Sequence, residues 1–190
     1  DSGTSYYVTV RSQDNADPVN FETWYSIRSS TFTFDNTPPT VLIQRPPAET
    51  NFYNSLLLLS GTATDITSAI QQVQIAIKRD DGAFFIDPDG DGSGVWSVTG
   101  DTTIPCAFTP STWTYTLPHN IWSHGRTYLI YARAWDVPGT TSSWTSPNSF
   151  VFDIDFPTAT VTSPVDESFV NVSPATILGT AFDAVSGNPV

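Results

Sequence analysis

The sequence predicts an all-β protein made of antiparallel β-sandwich units in tandem, one complete unit flanked by two partial ones. Three observations carry this. The periodic segments are rich in Thr, Val, Ile, Phe, Tyr and Trp and are punctuated by fifteen Pro and eleven Gly, which is the chemistry of strands and turns. Those segments alternate with period two, and none shows helical spacing. The chain also repeats itself. Residues 32–46 read FTFDNTPPTVLIQRP and residues 150–164 read FVFDIDFPTATVTSP, so Phe32, Phe34, Asp35, Pro39, Thr40 and Pro46 recur 118 positions on. The same displacement carries Gly61, Thr62, Ala63 and Asp65 onto Gly179, Thr180, Ala181 and Asp183. Tyr6, Val8, Arg11 and Asp14 match Tyr128, Ile130, Arg133 and Asp136 at a displacement of 122, the difference falling in the loop 15–31. A fixed period with gapless blocks marks a tandem array.

The register divides the chain. Residues 1–36 read as the last part of one unit, 37–155 as a complete unit and 156–190 as the first part of a third. There is no methionine, so the sequence reads as a segment of a longer polypeptide. A unit of this length can bury a working core.

Each element of the complete unit follows from local pattern. Thr40–Gln44 is a short apolar run after a proline pair, the first strand. Leu56–Ala63 is the second, its apolar start suggesting the centre of a sheet. Gln72–Lys78 alternates: Val73, Ile75 and Ile77 take one face, Gln72, Gln74, Ala76 and Lys78 the other. Ala83–Ile86 and Val95–Val98 flank an Asp/Gly loop and read as a hairpin. Thr112–Leu117 is the next strand. Tyr128–Trp135 alternates again, with Tyr128, Ile130, Ala132 and Ala134 inward. Ser149–Asp153 closes the unit. Seven or eight strands separated by turn signals make an antiparallel sandwich.

Composition narrows the function. A formal net charge of −12 argues against nucleic acid and against an anionic membrane surface, both of which need a basic footprint. No apolar stretch is long enough to span a membrane. Cys106 is the single cysteine, so no internal disulfide forms. Lys78 is the single lysine, and Asp outnumbers Glu; low Lys with high Asp and Thr in long β-rich repeats points to an extracellular or cell-surface bacterial protein.

The string VQIAIKRDDGAFF, then GVWS, STWTYTLP, GRTYLIYARAWDVPGT and FVFDIDFPTATVTSP, resembles bacterial Ig-like tandem repeats. It departs from their D-x-A-G-N pattern at the Asn end of the loop, where it reads Asp136-Val137-Pro138-Gly139 with Ser143-Trp144 beyond. The Tyr…Ala-x-Asp and Asp-x-x-Pro elements also resemble cadherin and fibronectin type III modules, which share the sandwich. The resemblance implies large surface proteins in which such units serve as stalks, adhesins or spacers beside other domains.

Two carboxylate groups could hold a cation. Asp87, Asp89 and Asp91 match the first half of a D-x-D-x-D-G calcium loop, but Val98 stands where the closing acid belongs. Turn composition alone accounts for these residues and is the better reading. The second group is topological. In an Ig-like sandwich the second and sixth strands end at the pole where the chain enters, which would bring Asp65 and Asp136 to Asp35 in the incoming linker. Asp153 or Asp155 with Asp183 would repeat the arrangement. Cadherin-like modules resemble this in holding calcium between units; the competing reading is that each Asp caps its own loop. Strand parity puts Tyr131 and Trp135 opposite the core on the face of Arg133, with Trp144, Trp122 and Trp24 in or near loops. Such aromatics could stack on sugar or on another chain; that they cover the sheet edge or pack a long loop is the better reading. Asn171-Val172-Ser173 is a glycosylation sequon. His119 and His124 do not make a metal motif, and no nucleophile elbow or phosphate loop is present.

The sequence therefore leads to the expectation of a non-enzymatic structural segment of a surface protein or fibre. Its partners would be other copies of itself or surface glycans, and calcium is the one cofactor to consider. An adhesin using exposed aromatics and a spacer beside a catalytic domain are the alternatives.

Overall fold

The structure, a computed structural model, describes residues 1–22, 30–49, 51–100, 102–171, 173 and 176–184. Trp24 and Val172 of the sequon lie outside the described residues, in which there are fifteen strands and no helix. In chain order the strands are β1 (Thr4–Val8), β2 (Ser30–Phe34), β3 (Thr40–Arg45), β4 (Asn51–Tyr53), β5 (Leu58–Thr64), β6 (Ile70–Arg79), β7 (Phe84–Ile86) and β8 (Val95–Ser97). They continue with β9 (Ile104–Pro105), β10 (Ala107–Thr109), β11 (Thr112–Thr116), β12 (Thr127–Asp136), β13 (Asn148–Phe152), β14 (Thr158–Ser163) and β15 (Leu178–Phe182).

The strands β3 to β13 build a sandwich. One sheet runs β10-β11-β5-β3; the other runs β4-β13-β12-β6-β7-β8, with β9 added to β6. Every expected strand is present, while β4, β9 and β10 are additional. These three are two or three residues long, too short for an alternation pattern to form. All pairs are antiparallel except β4 on β13.

The alternating strands supply the core. Val73, Ile75 and Ile77 on β6 and Tyr128, Ile130, Ala132 and Ala134 on β12 are fully buried. Leu59, Ala63, Trp113 and Tyr115 face them from the other sheet. Each large side chain buried this way contributes about 1.5–3 kcal/mol. Gly61 has a specific reason to be Gly: a Cβ there would lie 1.9 Å from the Leu42 carbonyl oxygen and 2.6 Å from the Trp113 ring. The indole lies over the strand at that point and donates to the Leu42 carbonyl at 3.2 Å.

Three expectations need correction. Strand β5 starts at Leu58, and the apolar run 56–59 is only half buried: Leu56 and Leu59 are in the core, Leu57 and Leu58 are exposed. Trp122 is not a surface aromatic. It is buried, packs edge-on against Tyr128 and Phe150, and donates its indole N–H to the Leu56 carbonyl. A loop tryptophan is pulled inward here because both ring and N–H find partners. Ala76, on the polar face of β6, is buried as well.

Two further hairpins flank the sandwich. β1 pairs with β2, and β14 with β15. Their registers match those inside the sandwich. Tyr6 faces Phe32 as Tyr128 faces Phe150, and the rings stack with centroids 5.2 Å and 5.3 Å apart. Thr158 faces Phe182 as Thr40 faces Thr64, and both pairs shift register one residue before the strand's end. Gly3 and Gly125 share a positive φ, 79° and 74°, and each donates its N–H to the last residue of the neighbouring strand.

Candidate functional site

Asp35, Asp65 and Asp136 converge. Each offers one carboxylate oxygen, and these atoms lie within 4.8 Å of one another. The fold brings them there by strand ends: Asp35 follows β2, Asp65 follows β5, and Asp136 is the last residue of β12. Each carboxylate is split in the same way. Oδ1 of Asp65 accepts the N–H groups of Thr67 and Ser68 at 2.7 Å and 2.9 Å. Oδ1 of Asp35 accepts the Thr37 N–H and the Ser2 hydroxyl, both at 2.9 Å. Oδ1 of Asp136 accepts the Thr140 N–H. These are loop caps of the kind short acidic side chains form at strand ends.

The other oxygen of each carboxylate is different. Oδ2 of Asp35, Asp65 and Asp136 is buried without a hydrogen-bond partner, and so is the hydroxyl of Ser68. Asp136 as a whole is fully buried. Buried polar atoms are almost always paired, because an unpaired one forfeits its solvation, and a buried charge forfeits more. The Ser68 hydroxyl stands close enough to Asp35 to favour its ionised form, although strict geometry gives it no hydrogen bond there. With the Thr37 N–H, it holds the Asp35 carboxyl below its ordinary value of 3.8. Three carboxylates with oxygens to spare gather hard oxygen donors in one place, the chemistry of a calcium-type cation.

The loop carboxylates behave otherwise. Asp87, Asp89 and Asp91 also cluster. Asp87 is buried, but its Oδ2 accepts the Tyr115 hydroxyl and the Gly92 N–H. That bond and burial push the Tyr115 phenol far up, burial being the larger cause. Asp91 accepts from Ser93, which holds its carboxyl down. Asp87 therefore clamps the β7–β8 loop onto β11, and Gly92 fits under Pro118 where a Cβ would approach to 2.4 Å.

Near the other end the counterparts Asp153 and Asp183 line one crevice of about 810 Å³ with Tyr53, Asp155 and Pro157. His124 stands where Ser2 stands at the first junction, 3.5 Å from Asp153 and 3.3 Å from Asp155. The two hydroxyls of the first junction, Ser2 and Thr37, are thus replaced by an imidazole and a carboxylate. Reading the two histidines only as a metal motif missed this contact. The displacements of 122 and 118 would have found it.

On the outer face of the larger sheet, the Arg133 guanidinium lies between two indoles, 4.4 Å from the ring centres of both Trp135 and Trp144. Tyr131 and Trp144 line a groove beside it.

No protein-family model matches the chain, and no curated protein does. Among solved structures it is similar to CopC from Methylosinus trichosporium OB3b, at 13% identity and a TM-score of 0.40 over 60% of this chain and 94% of that one. It is also similar to an engineered protein, at 18% identity and a TM-score of 0.35 over 63% of this chain and 21% of that one. The class that the fold defines is an all-β sandwich.

Proposed function

We propose that this chain is a structural, non-enzymatic segment of a long extracellular protein or surface fibre of bacterial type. In this reading Ig-like sandwiches repeat in tandem and a divalent cation of calcium type braces each junction. The observation that carries it is the convergence of three carboxylates on strand ends from both sides of one junction, each with one buried oxygen that has no hydrogen-bond partner. A cation there neutralises Asp35, Asp65 and Asp136 together. It ties the segment before residue 37 to the sandwich after it, so bending the junction would mean breaking metal bonds. The short proline linkers, Thr37-Pro38-Pro39 and Phe156-Pro157, restrict the chain in the same sense. The repeated strand registers support the tandem reading. The partners of such a segment are further copies of the same unit.

The test is calcium titration followed by calorimetry and small-angle scattering. Saturable heat, a raised melting temperature and a stiffer, longer particle support the reading. No heat and no change in either observable leave the carboxylates as loop caps and the array without a brace.

A further inference from the structure

The groove on the outer face of the larger sheet is built from residues the junction does not use. It has a volume of about 290 Å³ and is lined by Ala76, Lys78, Phe84, Tyr131, Trp144 and two threonines, Thr102 and Thr145. Register explains its shape. Ala76 lies opposite Tyr131, and Lys78 opposite Phe84, so a methyl group forms the floor between larger walls. The wall at Trp144 is held from behind. β13 pairs with β12 only from Thr127 to Ile130. Beyond that point residues 142–145 take over the edge: Ser142 and Thr145 donate their N–H groups to Ala134 and Ala132, and their hydroxyls accept the N–H groups of the same two residues. Arg133 then packs under Trp144.

The polar groups in the groove have capacity to spare. Lys78 is half-buried, and its ammonium sits 5.5 Å from the Phe84 ring centre. Among the described residues no carboxylate lies within 4.0 Å of it, in a protein with 19 acidic residues. Arg79 and Arg126, by contrast, are paired with Asp81 and Asp80. Among the described residues the hydroxyls of Tyr131 and Thr102 make no hydrogen bond, and the Thr145 oxygen accepts one without spending its hydrogen.

We propose that this groove binds an acidic saccharide, a uronate unit whose carboxylate sits on Lys78 and whose ring lies against Tyr131 and Trp144. The unpaired cation selects an anion. The indole and phenol faces match the C–H face of a sugar ring. The three hydroxyls match its ring hydroxyls. The volume is at the low end of ligand pockets, which suits one ring and not a folded partner. An extended peptide would need a free strand edge, and residues 142–145 already occupy that of β12. This proposal does not depend on the cation site or on the array.

The test is titration calorimetry of the whole chain with short oligomers of galacturonate, glucuronate and mannuronate, and with the neutral counterparts. At least one acidic oligomer should bind about tenfold more tightly than its neutral counterpart. Lys78→Gln should remove that preference and leave the neutral affinity alone. Ala76→Leu should fill the floor and abolish binding of both at an unchanged melting temperature. Trp144→Ala should weaken both. Absence of saturable binding for every acidic oligomer overturns the proposal. So does a preference that survives Lys78→Gln, or binding that survives Ala76→Leu, which would put the sugar elsewhere.

Discussion

The hairpin β1–β2 and the hairpin β12–β13 are the same object in two settings. Both pair Tyr with Phe in the same register, and both stack the two rings at nearly the same distance. Yet Tyr128 and Phe150 are 0% exposed, while Tyr6 and Phe32 are 41% and 52% exposed. The difference is the company they keep. Behind β12 lie β6 and the opposing sheet; among the described residues nothing equivalent lies behind β1. Local sequence therefore sets strand pairing and ring stacking, and the rest of the sandwich, the opposing sheet with Trp96 and the loop residue Trp122, supplies burial. Cross-strand pairs add about 0.2–1 kcal/mol each, whereas burial of an aromatic adds several times that.

The largest effect expected from breaking this contrast is at Ile75. It sits fully buried at the centre of β6, the strand the flanking hairpins lack. Ile75→Asp puts an unpaired charge into the core and should cost more than about 4 kcal/mol, enough to abolish the cooperative transition. A melting curve left where it was would show that the sandwich core is elsewhere. Next comes the matched pair. Phe150→Ala should cost about 3–5 kcal/mol, and Phe32→Ala less than about 1 kcal/mol. Equal costs in denaturant titrations would mean that the face of β1–β2 is covered in solution by another copy, as in a fibre.

The two junctions sharpen the contrast at the level of function. Calcium at about 100 times its dissociation constant should stabilise the chain by about 2.7 kcal/mol if it binds only the folded state. Asp136→Asn should remove that gain, since Asn keeps an oxygen for the Thr140 N–H but loses the charge. Asp87→Asn should not, because Asp87 is committed to Tyr115 and Gly92. A calcium response lost in Asp87→Asn and kept in Asp136→Asn would move the cation to the β7–β8 loop.

Much of the fold was legible in the sequence because the core strands alternate over enough residues to show it. Val73 to Ile77 and Tyr128 to Ala134 are written twice over, in period and in burial. The convergence of Asp35, Asp65 and Asp136 was legible from topology, since two strands that end at one pole must bring their last residues together. What could not be read was which oxygen of each carboxylate the backbone would take and which would be left. That depends on loop N–H groups at Thr37, Thr67 and Thr140, whose positions no pattern records. The depth at which Trp122 is buried was hidden for a related reason: loop membership says nothing about whether a ring finds a pocket and its N–H an acceptor. Ala76 taught the converse, for a small residue on a polar face is buried when large neighbours rise around it.

The smallest expected effect concerns acid, and it isolates the first junction from the second. The nearby Ser68 hydroxyl and the Thr37 N–H hold the Asp35 carboxyl below 3.8 in the folded protein. A depressed folded value means the native state binds its proton less readily than the unfolded chain does. The stabilisation this represents is therefore fully present above pH 3.8 and disappears as the pH falls through the folded value. Ser2, which also donates to Asp35, has His124 as its counterpart beside Asp153. In calcium-free buffer, the Asp35 side-chain carbon followed by NMR should inflect below pH 3.8, and Ser68→Ala should move that inflection upward. The change in overall stability should be too small to see by melting, because Asp35 is only half-buried. An Asp35 inflection at or above 3.8 would show that the Ser68 and Thr37 donors do not hold the first junction's carboxylate charged, and the cation site would lose the feature that keeps it anionic.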